Sequence, residues 1–215
     1  MIVADGILGE ALTATEYKAA YDAEAKRLLA NKIVLARILK ECVDEYKDCS
    51  LEDIEMYIEG EPHIGDIPVH RYSPDRNVSC MNTEDKTNTE GTQFFDIRFY
   101  AALPNSNERI GLIINVEAQN NFDPGYALVR RGIYYCCRML SAQHGETFIG
   151  EHYENLKKVY SIWVCPHAPV KYSDTITTYR IIEEYTKGRY IEKPDNYDLL
   201  QVAWSISMMT IPLTV

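Results

Sequence analysis

No stretch of the 215-residue chain is apolar for long enough to cross a bilayer, which excludes a helical membrane anchor and a membrane partner. Residues Met1 to Ala14 also lack the basic flank and long apolar core of a secretory signal, so a cytoplasmic protein is expected. The six cysteines, Cys42, Cys49, Cys80, Cys136, Cys137 and Cys165, form no CxxC pair, and reduced, mostly buried thiols are expected rather than a disulfide framework. His63, His70, His144, His152 and His167 show neither HxxxH nor deaminase spacing, which argues against a zinc enzyme. Basic residues are scarce as well. With 22 Lys and Arg against 32 Asp and Glu, the net charge of −10 disfavours non-specific binding to a polyanion and leaves room only for a local basic strip.

What is present suits one globular core, or one core with an appendage: 46% apolar and 25% charged residues. Residues 15–30 place Tyr17, Ala20, Tyr21, Ala25 and Leu28 at helical spacing and predict an N-terminal helical extension over 1–30. From Asn31, a ready N-cap, to Tyr46 the stripe Ile33, Val34, Ile38, Leu39, Cys42 and Val43 predicts the first core helix. Glu45 continues the row of Ile38 and Cys42, an acid at the edge of the buried face. Ser50 to Asp53 resembles a capping box opening a helix that runs to about Glu59. Ile64 to Tyr72 offers a short strand, and the polar run Asn82 to Gly91 reads as a loop.

The most informative stretch is Phe94 to Gln119. Two runs rich in β-branched and aromatic residues, Phe94–Tyr100 and Gly111–Gln119, flank Pro104-Asn-Ser-Asn107 and predict a β-hairpin. Symmetry about the Ser106/Asn107 bond pairs Phe95 with Ala118, Ile97 with Val116, Phe99 with Ile114 and Ala101 with Leu112, a wholly apolar face. The other face then sets Asp96 against Glu117, Arg98 against Asn115 and Phe94 against Gln119. Facing carboxylates roughly 5 Å apart at Cβ repel unless a cation lies between them. Oxygen donors with room for water suit Mg²⁺ or Mn²⁺. The alternative is that Arg98 neutralises the pair on a solvated face.

Beyond the hairpin, Asp123 as N-cap and Pro124 at the first helical position predict a helix to about Ala142. Leu128, Ile133, Tyr135, Cys136 and Leu140 would form its apolar stripe, with Arg130, Arg131, Tyr134 and Arg138 on the other side as a strip for phosphate contacts. The bland alternative is a solvated face with Tyr135 at the core's edge. Val159 to Cys165 reads as a central strand, so strand, helix and strand make a right-handed crossover. Thr175–Glu184 and Asp198–Met208 alternate as strands, and residues 171–215 are expected as strands appended to a 31–170 core. The apolar run ending at Val215 suggests strands cut short or closed by another subunit.

The order helix, strand, carboxylate hairpin, helix, strand, with Asp96 and then Glu117-Ala-Gln119, resembles the PD-(D/E)xK nuclease superfamily, in particular its transposase-associated, recombination-promoting branch. Lys32–Glu61, Gly91–Gln119 and Gly125–Val164 carry the similarity. The resemblance implies an α/β restriction-endonuclease-like core, a mixed central sheet flanked by helices, and Mg²⁺- or Mn²⁺-dependent endonuclease action on DNA in transposition or recombination. It implies Asp96 and Glu117 as metal ligands, Gln119 as the third catalytic position, and Glu45 as a helix-borne acid joining the metal. It also implies nucleic-acid contacts from Arg98, Arg130, Arg131, Tyr134 and Arg138. Gln119 stands where the motif has lysine and brings no charge, so another cation such as Arg98 or Arg130 would substitute. A homodimer is expected if both strands of a duplex are cut. Two other readings remain: a metal-free nucleic-acid-binding or assembly module on the same fold, and a partner that is not a nucleic acid.

Overall fold

The computed structural model describes residues 20–21, 23–58, 63–64, 84–87, 91–94, 96–104, 111–119 and 121–206. An N-terminal helix, α1 (residues 23–29), leads into α2 (Lys32–Cys42) and α3 (Leu51–Tyr57). The strands are β1 (His63–Ile64), β2 (Glu84–Thr87), β3 (Gly91–Phe94), β4 (Ile97–Ala101) and β5 (Leu112–Ala118). Helix α4 (Leu128–Ser141) follows, then β6 (Lys158–Val164), β7 (Thr175–Arg180) and β8 (Leu200–Ile206). The main sheet runs β1-β4-β5-β6-β8-β7, and β2 and β3 form a separate ribbon. β4 and β5 are antiparallel, β5, β6 and β8 are parallel, and β7 returns antiparallel. The class is α/β, with a mixed sheet between helices.

The local signals explain these elements. Asn31 caps α2 by accepting from the Ile33 amide at 3.0 Å, and Val43 ends it in extended backbone. The Ser50 hydroxyl accepts from the Asp53 amide at 3.1 Å and opens α3. Strand period then sorts the sheet's two faces. Ile97, Phe99, Ala101, Leu112, Ile114 and Val116 pack under α2 and α3 with Leu35, Leu39, Cys42 and Ile54. On the opposite face Ile113, Val159, Trp163 and Val202 pack under Tyr135, Cys136 and Met139 of α4. Each fully buried large apolar side chain contributes about 1.5–3 kcal/mol of transfer free energy. Gly132 lets α4 come this close: a Cβ there would lie 2.6 Å from Val202 Cγ1.

The hairpin register is the expected one, with Ile97 opposite Val116, Arg98 opposite Asn115 and Ala101 opposite Leu112. Phe95 and residues 105–110, where the hairpin turn is expected, lie outside the described residues, as do Cys80 and most of the Ile64–Tyr72 run. Several expectations are corrected. Within the polar run Asn82–Gly91, β2 pairs with β3, Glu84 opposite Phe94 and Thr87 opposite Gly91, because backbone pairing needs no apolar alternation. The Phe94–Tyr100 run is interrupted by a bend at Asp96. α4 begins at Leu128, not Pro124, because Asn121 and Asp123 form successive Asx turns onto the Asp123 and Gly125 amides, and Gly125 sits at φ +90°. Its buried stripe is Leu128, Gly132, Tyr135, Cys136 and Met139, which leaves Ile133 exposed. On α2, Ile33 is likewise exposed. The C-terminal strands extend the β6 edge of the sheet, β8 beside β6 and β7 outermost. No helix among the described residues is long and apolar enough to cross a membrane. Cys42, Cys136 and Cys165 are buried free thiols, each pushed up to about 12 by burial, while Cys137 is exposed.

Candidate functional site

At the C-terminal end of β5 the chain of β4 leaves the ladder, and two carboxylates take over the pairing. The Asp96 amide donates to Glu117 Oε1 at 3.0 Å, and Asp96 Oδ2 accepts from the Ala118 amide at 3.0 Å. Each acid thus satisfies a backbone donor of the other strand. This brings together the two residues that the sequence pairs.

Two cations close on them from opposite helices. Lys26 of α1 places Nζ 3.1 Å from Asp96 Oδ1, with both side chains largely withdrawn from water. Arg131 of α4 places Nη2 3.9 Å from Glu117 Oε2. The guanidinium is held by the Tyr135 hydroxyl, which accepts from Nε at 2.9 Å and Nη2 at 2.6 Å. It lies over the Tyr135 and Trp163 rings, 5.1 and 5.2 Å from their centroids. Burial first, and the Asp96 charge second, push the Glu117 carboxyl up to about 8, against the opposing pull of the Asp96 amide and Arg131. Burial and the Glu117 charge likewise raise the Tyr135 hydroxyl to about 12. Glu117 is buried and Asp96 is partly exposed, and the pair of acids stands between two basic groups, with Glu117 held toward its protonated form.

Lys26 was not legible in the sequence. The stripe of residues 15–30 is turned by one position: Lys26 and Leu29 are buried, while Tyr21 and Leu28 are exposed. Spacing does admit this, because Lys26, Leu29 and Ala30 stand at i, i+3 and i+4.

The remaining expected residues separate. Gln119 is half-buried and turns its amide to the Asn121 carbonyl, bracing the loop before α4, while its backbone amide donates to Val164 at 2.8 Å. Arg98 is buried opposite Asn115, out of reach of a duplex lying on the surface. Arg138 is also buried, 3.0 Å from the Tyr134 hydroxyl and over that ring, so the strip along α4 is not a continuous basic surface. Arg130 and Tyr134 are exposed. Glu45 is far from the pair. It accepts from the Tyr160 hydroxyl and lies 3.2 Å from Lys158 Nζ, which also binds Asp198 at 2.6 Å. Lys158 is in register with Leu112, at the far end of β5 from Glu117. Five residues of strand make that separation about 16 Å. Tyr160 also packs on the α2 face and Glu117 on the α4 face, so Glu45 is corrected from metal ligand to structural acid.

Among the described residues no third His, Cys, Asp or Glu joins the pair in a metal-binding group. The donor set still fits a hard divalent cation. Asp96 Oδ1 and Glu117 Oε2 face Lys26 and Arg131, and Mg²⁺ commonly takes one or two carboxylates and completes its shell with water and phosphate oxygens. It fits no structural zinc site. No protein-family model, no curated protein and no solved structure matches this chain.

Proposed function

We propose that the chain is a metal-dependent endonuclease with a restriction-endonuclease-like core, cutting DNA in the course of transposition or recombination. The observation that carries this reading is the Asp96–Glu117 pair, cross-bonded through each other's strand, with Glu117 buried and its carboxyl raised by burial and by Asp96. A carboxyl perturbed by burial together with a specific charge partner marks a functional-site candidate. The element order supports it: α2, the β4–β5 hairpin, α4, and β6 parallel to β5.

Asp96 and Glu117 would hold Mg²⁺ or Mn²⁺, which when bound would lower the pKa of a coordinated water and neutralise charge on the phosphate. Lys26 supplies the positive charge that Gln119 does not, on the oxygen side of Asp96. Arg131, fixed by Tyr135 and Trp163, is poised to meet a phosphate oxygen beside Glu117. Cutting both strands of a duplex takes two such sites, so the reading carries a homodimer.

A second reading keeps the fold without the chemistry: a nucleic-acid-binding or assembly module in which Lys26 and Arg131 are permanent counter-ions. It is favoured by the fact that each carboxylate already has a cationic neighbour. Calorimetric titration of Mn²⁺ into wild type and the Asp96→Ala/Glu117→Ala variant, followed by plasmid nicking in the same buffer, separates the two. The nuclease reading expects binding and nicking in wild type and neither in the variant. Wild type that neither binds metal nor nicks leaves the module.

A further inference from the structure

Strand register carries the candidate site sideways across the sheet. Glu117 is opposite Trp163, Trp163 opposite Trp204, and Trp204 opposite Thr177, one transverse row on the α4 face. Trp163 and Trp204 stack, 5.6 Å between centroids and 12° between planes. Where the row passes beyond the N-terminal end of α4, a groove of ≈ 980 Å³ opens. Phe122, Tyr126, Tyr172, Tyr179 and Trp204 line it, together with Lys171. Phe122 and Tyr172 stack at 5.7 Å, and Lys171 lies 4.7 Å from the Tyr172 centroid. Tyr126 also hydrogen-bonds to Arg131, so the groove and the carboxylate pair share a residue.

We propose that this groove binds single-stranded DNA by stacking unpaired bases on its rings. The assignment rests on the nuclease reading for the identity of the nucleic acid, and names the form of substrate that the site would take. Three features select this occupant. Flat rings of Tyr126 and Tyr179, 50% and 43% exposed, present π-faces that any base can cover, with the Phe122–Tyr172 stack forming the wall beside them. Lys171, the cation among the lining residues, stands beside them where a backbone phosphate would run. Glu117 and Trp204 are two strands apart, about 10 Å, so one extended strand reaches both the rings and the carboxylates.

The test is fluorescence anisotropy of a labelled oligothymidylate with the full chain in EDTA, with the matching duplex as competitor, alongside nicking in Mn²⁺. Expected are single-strand binding, weak competition by duplex, about tenfold weaker binding by Tyr126→Leu and Tyr179→Leu, and recovery in Tyr179→Phe. Lys171→Ala should lower the slope of log affinity against log salt by about 0.7. Binding that is unchanged in both leucine variants, or equal for duplex and single strand, overturns the proposal, even if the protein nicks plasmid. Concentration-dependent self-association lost in Tyr179→Leu, with no oligothymidylate bound, also overturns it and assigns the groove to a second copy. Ring-dependent binding without nicking upholds the groove and removes the nuclease reading, so the two fail separately.

Discussion

Lys26 Nζ lies 3.1 Å from Asp96 Oδ1, an ion pair between the N-terminal helix and the bend that precedes β4. It fastens α1 to the hairpin's polar end and puts a buried ammonium beside Asp96. Such a pair makes its own loss costly, because removing one member strands the other in a poorly solvated place.

Lys26→Met is accordingly expected to destabilise the protein by about 2 kcal/mol, measured by urea unfolding. Lys26→Arg should keep most of that stability. If Lys26 also serves cleavage, Lys26→Met loses nicking under conditions where circular dichroism shows it fully folded. Wild-type nicking by the folded variant would confine Lys26 to structure.

Glu117 sets a pH dependence. Its carboxyl titrates near 8 in the fold against an ordinary 4.5, so between these values the native state holds a proton that the unfolded chain has released. The Glu117 contribution is present below about 4.5 and is lost as pH rises through about 8. Glu117→Gln should remove this slope and raise stability near pH 8, whereas Asp96→Asn weakens the Lys26 pair and should lower it. From sequence alone, either substitution relieves the same repulsion. Thermal unfolding across this pH range, without divalent metal, reads the difference; parallel wild-type and Glu117→Gln profiles would refute it.

Glu45→Gln should leave nicking within about twofold of wild type while costing about 1 kcal/mol, as it disturbs only the Tyr160–Lys158–Asp198 cluster. Loss of metal binding in the folded variant would bring Glu45 back into the site.

Gly132→Ala should overpack α4 against β8 and β6, with Val202 Cγ1 at 2.6 Å and Trp163 Nε1 at 3.1 Å from the new methyl. A cost of about 1–3 kcal/mol is expected, or a fall in Tm of about 2–4 °C per kcal/mol for a chain of this size. Since Arg131 adjoins Gly132, the shift should weaken the proposed Mn²⁺ site as well. Unchanged Tm would mean that α4 is not seated by this contact.

The sequence by itself determined the register of β4 on β5, the N-caps Asn31 and Ser50, and β6 as a buried central strand. These depend on near neighbours: a period of two, a turn and a side chain reaching its own helix's amides. It therefore brought Asp96 to Glu117. Only the tertiary structure decided which cations face that pair, that Arg138 turns inward and Ile133 outward, and that Glu45 belongs to the other end of the sheet. A helix advances about 100° per residue, so an amphipathic stripe tolerates rotation by one position, and the choice falls to packing against strands remote in the chain. Lys26 meets Asp96 for that reason, since α1 settles its Leu29 row on the core, and its lysine is carried inward with it.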